Sequence, residues 1–445
     1  RVAADGLGTP QRLTEPEPNV GEHWLPSISP DGEILLFTVR TRPVRIDALR
    51  LSTGERRENL VPGWKPQLTN TGHLIFATYD GTVMAAPFDE EAMEPEASPR
   101  PVVESVHVTA NEWPAFFVAD NGTLLYLQSP GRRLLEFVWV DRQGNASPVE
   151  DGWSFDPGAW RPTWELSPDG ERIAYRRFTD GRTDLFIRTL STGQEDRLTD
   201  DEAMESHLAW TWNGEEIVYH SDRGSPGTGW IKRADFTGDA RELLTLQGLF
   251  LSRTAWSPGG EWVLIQTGEM ESSRDILARQ VGVDSLPRPL LAMKGYDETS
   301  PAVSPDGEWI AFVSDRSGRR EVYLRPFPDV LADEVRVSVD GGRGPVWSPD
   351  GRELFFEADG GTDWDSRDYF VATMDPDRTG RSPPVRPLFT VPEGFRSHPW
   401  ETLYDIHPDG ERFLMAREVA AGSRRRRDIM VVKNWTRLLT EIDWR

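Results

Sequence analysis

The sequence predicts an all-β fold, namely a β-propeller built from four-stranded antiparallel blades. Three repeated features lead to this prediction: a turn that ends in glycine, a third strand that follows it, and a short fourth strand. A few short antiparallel strands cannot bury their apolar face alone, so the repeats must stack on neighbours of the same kind. The 445 residues include 39 Gly and 18 Trp, a composition that suits many turns and many stiff packing units.

The first feature is a five-residue frame that starts with an apolar residue and ends with glycine. In one copy, Val303–Gly307, we expect Gly307 to take a positive φ, and Ile310 and Phe312 alternate along the next strand. The Asp of each Ser-Pro-Asp-Gly copy is expected to cap its turn. The frame occurs nine times, at intervals of roughly 40 to 60 residues, which is the range of propeller repeats. The copies are Ile28–Gly32, Leu68–Gly72, Val118–Gly122, Leu166–Gly170, Trp210–Gly214, Trp256–Gly260, Val303–Gly307, Trp347–Gly351 and Ile406–Gly410.

The second and third features are the strands that follow each frame. A third strand is predicted in nine places, and a fourth strand follows in eight of them, as in 195–199 and 241–245. The tryptophans at 164, 210, 256 and 347 hold similar places in their units, and we expect them to pack between blades. The predicted third strands cover 46–51, 83–88, 137–140, 185–190, 230–234, 276–281, 322–327, 369–374 and 429–432.

The closure of the propeller is predicted from the two ends of the chain. The ninth unit lacks a fourth strand, whereas Pro10–Thr14 fits the fourth-strand pattern and has no unit of its own. We therefore predict a single propeller over residues 1–445, most simply with nine blades, closed by a strand at 10–15 that joins the last blade and removes exposed edges. An eight-bladed ring or two smaller propellers are the alternatives. The predicted blades are 24–61, 64–108, 112–150, 160–200, 207–248, 252–293, 299–340, 343–391 and 400–433.

Charge and composition narrow the possible partners. The net charge of −23 repels phosphate backbones, so we expect no nucleic acid partner, and the basic run Arg424–Arg427 is interpreted as a solvated hairpin tip. The absence of Cys excludes disulfides and thiolate metal sites. No apolar run reaches the ~18 residues of a membrane span, so we expect no membrane insertion of this segment. Because the chain opens on Arg1 rather than Met, we expect it to be part of a longer protein.

The Ser-Pro-Asp-Gly frames, together with the Ser-Asp-Arg turns at 221–224 and 314–317, resemble the TolB-type, WD-like propeller repeats of bacteria. This sequence resembles one subgroup of these propellers more closely, namely the C-terminal propellers of bacterial transmembrane Ser/Thr protein kinases. In that subgroup a kinase domain and a membrane helix precede an extracytoplasmic sensor. The stretches that carry this resemblance are Gly72–Phe76, Gly81–Phe88, Asn121–Tyr126, Val138–Gly144, Glu321–Phe327 and Val431–Trp435.

The resemblance implies an extracytoplasmic, non-catalytic module that binds a protein, a peptide or a small polar ligand and that is tethered to a kinase through a membrane helix. A stand-alone periplasmic protein-binding scaffold is the first alternative. This chain has no kinase motif, so we expect it not to be an enzyme and to need no cofactor. A fused Ser peptidase is disfavoured because no Gly-x-Ser-x-Gly elbow occurs; Gly380–Pro384 is the nearest match.

A metal-dependent lyase or hydrolase with its site in the channel is the second alternative. It rests on His23, His207 and His398, each of which precedes the first strand of a blade, although no pair of histidines has metal-ligand spacing. We interpret these histidines as loop or packing residues and expect no metal.

The candidate binding residues precede the first strands of the blades, where a propeller has one mouth of its channel. A rim that mixes Trp with charged groups suits a small polar ligand or a peptide. Packing between blades is the alternative interpretation for each aromatic residue. The predicted ligand-binding residues are Trp24, Trp64, Trp113, Trp160, Arg161, His207, Arg253, Glu298, Arg343 and Trp400.

Overall fold

A computed structural model divides the chain into two compact units. Unit 1 comprises Arg1–Arg132, Gly158–Arg161 and Gly422–Arg445, and unit 2 comprises Arg133–Pro157 and Pro162–Ala421. The all-β class is confirmed, because the regular structure of the described residues consists of 36 strands, numbered β1 to β36 in chain order, with one short α-helix and one 3₁₀ turn. The structure describes residues 12–15, 23–39, 44–108, 113–129, 134–158, 163–179, 182–200, 203, 205–221, 223, 227–246, 250–268, 273–331, 334–359, 367–374, 382–398, 401–419 and 428–444.

Unit 1 contains three antiparallel sheets. The first sheet has the order β1-β2-β3-β4, the second has β5-β6-β7-β8 with β9 also paired to β7, and the third has β10-β11-β36. A helix, α1 (Thr436–Leu439), follows the last strand. The strands are β1 (His23–Ile28), β2 (Ile34–Val39), β3 (Arg45–Arg50), β4 (Arg56–Pro62), β5 (Trp64–Leu68), β6 (His73–Ala77), β7 (Val83–Asp89), β8 (Glu94–Pro95), β9 (Arg100–Val103), β10 (Phe116–Val118), β11 (Leu124–Leu127) and β36 (Ile429–Val432).

Unit 2 contains six four-stranded antiparallel sheets. Five follow the chain, β14 to β17, β18 to β21, β22 to β25, β26 to β29 and β30 to β33, and the sixth has the order β13-β12-β35-β34. The sheet that joins distant parts of the chain consists of β12 (Leu135–Asp141), β13 (Ala146–Pro148), β34 (Asp405–Ile406) and β35 (Arg412–Glu418). Two further sheets consist of β14 (Trp164–Leu166), β15 (Arg172–Thr179), β16 (Arg182–Thr189) and β17 (Gln194–Arg197), and of β18 (Glu205–Trp210), β19 (Glu216–Ser221), β20 (Thr228–Arg233) and β21 (Arg241–Thr245). The other three are β22 (Phe250–Trp256), β23 (Trp262–Gly268), β24 (Ile276–Gln280) and β25 (Arg288–Leu291); β26 (Glu298–Val303), β27 (Trp309–Ser314), β28 (Glu321–Pro326) and β29 (Val335–Arg336); β30 (Arg343–Trp347), β31 (Glu353–Glu357), β32 (Arg367–Thr373) and β33 (Val385–Val391).

The first strands of the six sheets in unit 2 contact one another in cyclic order. β14 contacts β18, β18 contacts β22, β22 contacts β26, β26 contacts β30, and β30 contacts β34, which in turn contacts β14. A cycle of antiparallel sheets whose inner strands surround one axis is the arrangement of a β-propeller. The 3₁₀ turn, Pro258–Gly260, lies between β22 and β23. No helix in the described part of the chain is long and apolar enough to cross a membrane.

The repeated turn is held by a short set of side-chain hydrogen bonds. In Ser29–Gly32, the Ser29 hydroxyl donates to Asp31 Oδ1 at 2.5 Å and accepts the N–H of Ile34 at 2.8 Å. The hydrogen bond from Ser29 lowers the pKa of Asp31 below its usual value. Gly32 has a φ of +80°, which glycine adopts without strain. The capping role predicted for the aspartates is confirmed, because the turns at 167–172, 304–309 and 348–353 repeat these bonds.

Tryptophan side chains connect neighbouring sheets of unit 2, as predicted. The Trp210 Nε1–H donates to the Glu165 carbonyl oxygen at 3.1 Å, and the Trp347 Nε1–H donates to the Ala302 carbonyl oxygen at 3.0 Å. Trp210 also packs in one apolar cluster with Ala174 and other side chains of the preceding sheet. The packing role of these tryptophans follows from their size and their single donor, which needs a partner when it is buried.

Two predicted blades differ from the observed strand pairing. The strands expected together at 112–150 are divided, because β10 and β11 pair with β36 in unit 1 whereas β12 and β13 pair with β35 and β34 in unit 2. The predicted blade at 400–433 is divided in the same way. Residues 12–15, the described part of the predicted closing strand, form no strand. The nine-bladed single ring stays a prediction.

Strand length and burial explain this exchange of partners. β12 and β35 pair along seven residues each, from Leu135 opposite Glu418 to Asp141 opposite Arg412. Both strands bury apolar residues on both faces, as Phe137 and Val138 do in β12. β36 has only four residues, of which Ile429 and Val431 are exposed, and it matches the equally short β11. Pairing equal lengths satisfies more backbone hydrogen bonds than the predicted pairing would.

Candidate functional site

Four of the first strands in unit 2 contain an irregularity in their pairing with the second strand. The pairing register shifts between Ser206 and Ala209 in β18, and β26 and β30 shift over the same number of residues. In β22 the shift lies between Leu251 and Arg253. Within the β18 shift, His207 has a φ of +52°. A β-bulge of this kind re-aims side chains, and bulges are common next to functional sites.

A pocket lies at β14, β18 and β22 and at the segment that leads into β34. The pocket is narrow: its interior has room for about one water molecule, and about 330 Å³ is reached only when the open solvent at its mouth is included. Its walls come from four sheets that are consecutive in the cyclic order. The lining residues are Thr163, Trp164, Glu165, His207, Leu208, Ser252, Arg253, Glu401, Thr402 and Leu403.

The lining residues occupy a defined position in the repeat. Thr163, His207, Arg253 and Leu403 each lie three residues before the apolar residue that opens the glycine frame of their own sheet. The repeat therefore places the same position of four neighbouring sheets around one space. The side chains at this position differ in chemistry: they are a hydroxyl, an imidazole, a guanidinium and an alkyl group. The wall of the pocket is therefore mostly polar.

Two carboxyl groups at the pocket accept backbone N–H groups of neighbouring sheets. Glu165 Oε2 accepts the N–H of Trp210 at 2.5 Å, and Asp405 Oδ2 accepts the N–H of Leu166 at 2.8 Å. Glu165 and Asp405 hold the same position in their sheets, one residue before the glycine frame. Each acid therefore binds the first strand of the next sheet in the cycle.

These two carboxyl groups have raised pKa values. Burial, followed by the negative charge of Asp405, raises the pKa of Glu165 from 4.5 to about 8, and the positive charge of Arg253 offsets part of this rise. Burial also raises the pKa of Asp405, against the hydrogen bond from Leu166 and the charge of Arg253. At neutral pH the pair therefore holds a proton.

The remaining charged groups of the pocket have partners within unit 2. Arg253 Nη1 donates to the Thr402 carbonyl oxygen at 3.2 Å. His207 Nε2 lies 3.4 Å from Glu401 Oε1, and both side chains are buried. The His207 Nδ1 atom lies 3.0 Å from the Ser206 hydroxyl oxygen, which fixes the orientation of the ring.

Two other polar groups of the wall have no hydrogen-bond partner among the described residues. They are the Thr163 hydroxyl and the Trp164 indole N–H. Thr163 is 7 % exposed and Trp164 is 5 % exposed, so bulk solvent does not satisfy them. A buried polar group without a partner costs about 1–3 kcal/mol. Such groups in the wall of a pocket favour a ligand that supplies the missing bonds.

The structure brings two of the predicted binding residues together, His207 and Arg253. Glu298 lies elsewhere in unit 2, where it accepts hydrogen bonds from the Ser314 hydroxyl and the Met293 N–H, each at 2.9 Å. Arg343 is also buried, and its Nε atom lies 2.8 Å from Glu357 Oε1. Glu298 and Arg343 precede their glycine frames by five and four residues, so they lie before the position that faces the pocket.

The predicted residues of unit 1 that the structure describes take part in aromatic contacts. Trp64 is only 2 % exposed and packs against Tyr79, with ring centroids 6.4 Å apart. Trp24 and Trp113 meet edge to face with centroids 6.3 Å apart, and Trp113 is 46 % exposed. Trp160, Arg161 and Trp400 lie outside the described residues.

Sequence reasoning missed several residues of the site. Two of them, Glu165 and Asp405, could have been found from the residue type that precedes the glycine frame. The residue directly before the glycine frame is Glu165 or Asp405 in two units. In the other seven units this position holds Ser27, Gln67, Phe117, Ala209, Ala255, Ala302 or Val346. A carboxylate at a position that is otherwise uncharged indicates a local function, because burying a charge is costly.

The metal hypothesis has no geometric support within the described ranges. His23 belongs to unit 1, whereas His207 and His398 belong to unit 2. The described residues contain no group of three or more His, Asp or Glu side chains that could hold a metal ion.

Comparison with known proteins shows the fold. No family model and no curated protein matches the chain. A protein assigned as TolB from Agrobacterium tumefaciens has 18 % identity and a TM-score of 0.50, and the likeness covers 65 % of this chain and 100 % of that chain. TolB from Acinetobacter baumannii has 14 % identity and a TM-score of 0.40, with 79 % of each chain covered. The chain therefore has a TolB-like β-propeller fold.

The prediction that the chain is not an enzyme is contradicted, because similar solved structures include enzymes. An oligogalacturonate lyase in complex with manganese has 14 % identity and a TM-score of 0.35, and the likeness covers 82 % of this chain and 93 % of that chain. A prolyl endopeptidase has 11 % identity and a TM-score of 0.40, and a puromycin hydrolase has 14 % and 0.38. The likeness covers 90 % and 88 % of this chain but only 55 % and 57 % of those two enzymes. The absence of kinase and hydrolase motifs was too narrow a criterion, since propellers also occur in catalytic proteins.

Proposed function

We propose that unit 2 is a binding module that contacts a polar segment of a partner polypeptide at the mouth of this pocket, which four sheets line. The observation that carries the proposal is the pair of buried polar groups in the pocket wall, on Thr163 and Trp164, that have no partner among the described residues. A bound segment would supply their hydrogen bonds, because a polypeptide offers both donors and acceptors along its backbone.

The shape of the pocket supports contact at its mouth rather than uptake of a whole ligand. The space inside has room for about one water molecule, and most of the 330 Å³ is open solvent at the mouth. The proposed ligand is therefore a polar group of an extended segment that approaches from the mouth. The resemblance of the repeats to TolB-type propellers, which bind other proteins, favours the same class of ligand.

We further propose an extracytoplasmic location and a transmembrane Ser/Thr kinase as the parent protein. Support comes from the resemblance of stretches such as Glu321–Phe327 and Val431–Trp435 to the C-terminal propellers of such kinases. The coding sequence upstream of Arg1 tests this part directly. A kinase domain followed by about 20 apolar residues is the expected result, and a secretion signal alone would favour the free periplasmic scaffold instead.

Peptide display tests the binding function itself. The purified chain is immobilised and a random peptide library is selected against it. We expect enriched peptides that lose binding to the Arg253→Ala variant and keep binding to Arg233→Ala, since Arg253 lines the pocket and Arg233 is an exposed outer residue that pairs with Asp235. If no peptide is enriched, or if the enriched peptides bind both variants equally, the pocket is not the binding site.

A further inference from the structure

The third sheet of unit 1 ends in an edge strand that has no protection against pairing with another strand. β36 (Ile429–Val432) reads Ile-Met-Val-Val, so it contains neither a charged residue nor a proline. Natural proteins place such residues in exposed edge strands, because an unpaired row of backbone N–H and C=O groups can bind a further strand. In β36 the side chain of Ile429 is 70 % exposed and that of Val431 is 56 % exposed.

The corresponding edge strands of the other sheets contain the residues that β36 lacks. These edge strands lie farthest from the first strand of their sheet, and the sheets to which they belong have four or five strands in the described part of the chain, against three for β10-β11-β36. Each of them contains a charged residue or a proline, and both types hinder pairing at an edge. The residues are Arg56, Arg57 and Glu58 in β4, Glu94 and Pro95 in β8, Arg100 and Pro101 in β9, Pro148 in β13, Glu195, Asp196 and Arg197 in β17, Arg241 and Glu242 in β21, Arg288 and Pro289 in β25, Arg336 in β29, and Arg386 and Pro387 in β33.

The backbone groups at the outer edge of β36 follow from its pairing with β11. The Gln128 N–H donates to the Asp428 carbonyl oxygen at 3.0 Å, and bonded and non-bonded pairs alternate along an antiparallel ladder. Met430 therefore directs its backbone groups toward β11, whereas Ile429 and Val431 direct theirs toward the outer edge. No strand in the described ranges pairs with this edge. The two residues with outward backbone groups are also the two most exposed residues of the strand.

We propose that β36 pairs antiparallel with β36 of a second copy of this chain, across a two-fold axis at Met430. This register places Ile429 opposite Val431 of the second copy, and each such pair exchanges two backbone hydrogen bonds. The side chains of a pair lie on one face of the joined sheet and contact each other, which is the favourable arrangement of apolar cross-strand neighbours. The contact lies in unit 1 and does not depend on the binding function proposed for unit 2.

The charges at the two ends of β36 favour a second copy as the partner. Asp428 precedes the strand and Lys433 follows it, and both are exposed. In the antiparallel register, Asp428 of each copy lies one position from Lys433 of the other copy, so opposite charges meet at both ends of the paired strands. The strand is thus complementary to itself. Because a two-fold contact uses the same edge of both chains, the assembly closes at two copies.

Sedimentation equilibrium of the full chain tests the pairing. A salt concentration of about 0.15 M suits the measurement, because a screening length of about 8 Å limits the repulsion between two chains of net charge −23. We expect the mass to rise with concentration from 50.3 kDa to twice that value and to stop there. A single chain at every concentration up to about 1 mM, or growth beyond two copies, would overturn the proposal.

Two variants of Val431 test whether the contact uses the edge of β36. Val431→Pro removes an N–H at the outer edge and leaves the hydrogen bonds to β11, which use the neighbouring residues. Val431→Lys introduces a charge of the kind found in the other edge strands. Because the two-fold axis applies each change twice, both variants should weaken dimerization at least about tenfold without lowering the thermal stability of the single chain. The control Val385→Lys makes the same change at an exposed valine of β33 and should leave dimerization unchanged.

The exposed face of the same sheet is the alternative contact between two copies. Phe117 is 50 % exposed and Leu125 is 37 % exposed, and they lie in one cross-strand row with Val431. If this face joined the copies, Phe117→Ser would separate them and Val431→Pro would leave them joined, and that result would overturn pairing at the edge. We expect the reverse, namely that Phe117→Ser leaves the dimer intact and Val431→Pro dissociates it.

Discussion

Replacing Glu165 by glutamine should make unit 2 more stable at alkaline pH. The pKa of Glu165 is raised above its unfolded value, so the folded protein holds a proton that the unfolded chain releases between pH 4.5 and about 8. This contribution to stability is fully present below pH 4.5 and is lost as the pH rises toward 8. Glutamine is neutral at every pH and keeps an oxygen that can accept the N–H of Trp210.

The magnitude follows from the two pKa values. The difference between 4.5 and about 8 corresponds to at most about 5 kcal/mol at 1.36 kcal/mol per pH unit. Because part of the surface of Glu165 is exposed, solvent screening lowers this value, and we expect about half of it, or about 2–3 kcal/mol. The variant should therefore match the wild type near pH 5 and exceed its stability above pH 8.

Denaturant unfolding, followed by tryptophan fluorescence from pH 5 to pH 9, measures this difference. The quantity to compare is the free energy of unfolding of Glu165→Gln minus that of the wild type, because other ionisable groups then largely cancel. Glu261→Gln serves as the control for the loss of one negative charge at the surface. A difference that is independent of pH, or that is largest at pH 5, would refute the assignment of a buried protonated acid at Glu165.

Two further predictions concern the architecture of unit 2. Glu357→Ala should lower the free energy of unfolding by about 3–5 kcal/mol, because it leaves the buried guanidinium groups of Arg343 and Arg367 without their shared carboxylate. Thermal unfolding measures this change. If the free energy of unfolding falls by less than about 1 kcal/mol, Arg343 has no structural role here and is again a candidate binding residue. A fragment of residues 133–421 should fold cooperatively, since it contains both halves of the β13-β12-β35-β34 sheet, whereas a fragment of 133–399 lacks β34 and β35. Circular dichroism of both fragments checks this, and equal folding of the two would contradict the observed closure.

The local part of the fold was predictable because turn chemistry is local. Ser29, Asp31 and Gly32 lie within four residues, and their hydrogen bonds and positive φ depend on little else. The same holds for the strand that follows each turn, whose alternation is visible in the sequence. Nine glycine frames therefore sufficed to predict an all-β fold of stacked antiparallel sheets.

The pairing of strands across the chain was not predictable in this way. β11 and β12 are consecutive, and nothing in their own residues states that one pairs with β36 and the other with β35. The difference depends on the lengths and burial of partners almost 300 residues away, where Leu135 meets Glu418. A repeat count treats each unit as complete and so joins strands that tertiary packing separates.

The candidate site depends on that same long-range pairing. Leu166 and Asp405 are 239 residues apart, yet they are joined by a hydrogen bond of 2.8 Å because β12 and β13 complete the sheet that carries Asp405. Without this sheet in the cycle, Glu165 would lack the neighbouring charge that helps raise its pKa. Each acid is visible in the sequence as an exception at one position of the repeat, but their pairing becomes visible only when the closure of unit 2 is known. A search for charged exceptions at equivalent positions of adjacent sheets is therefore informative only after the cyclic order of the sheets has been established.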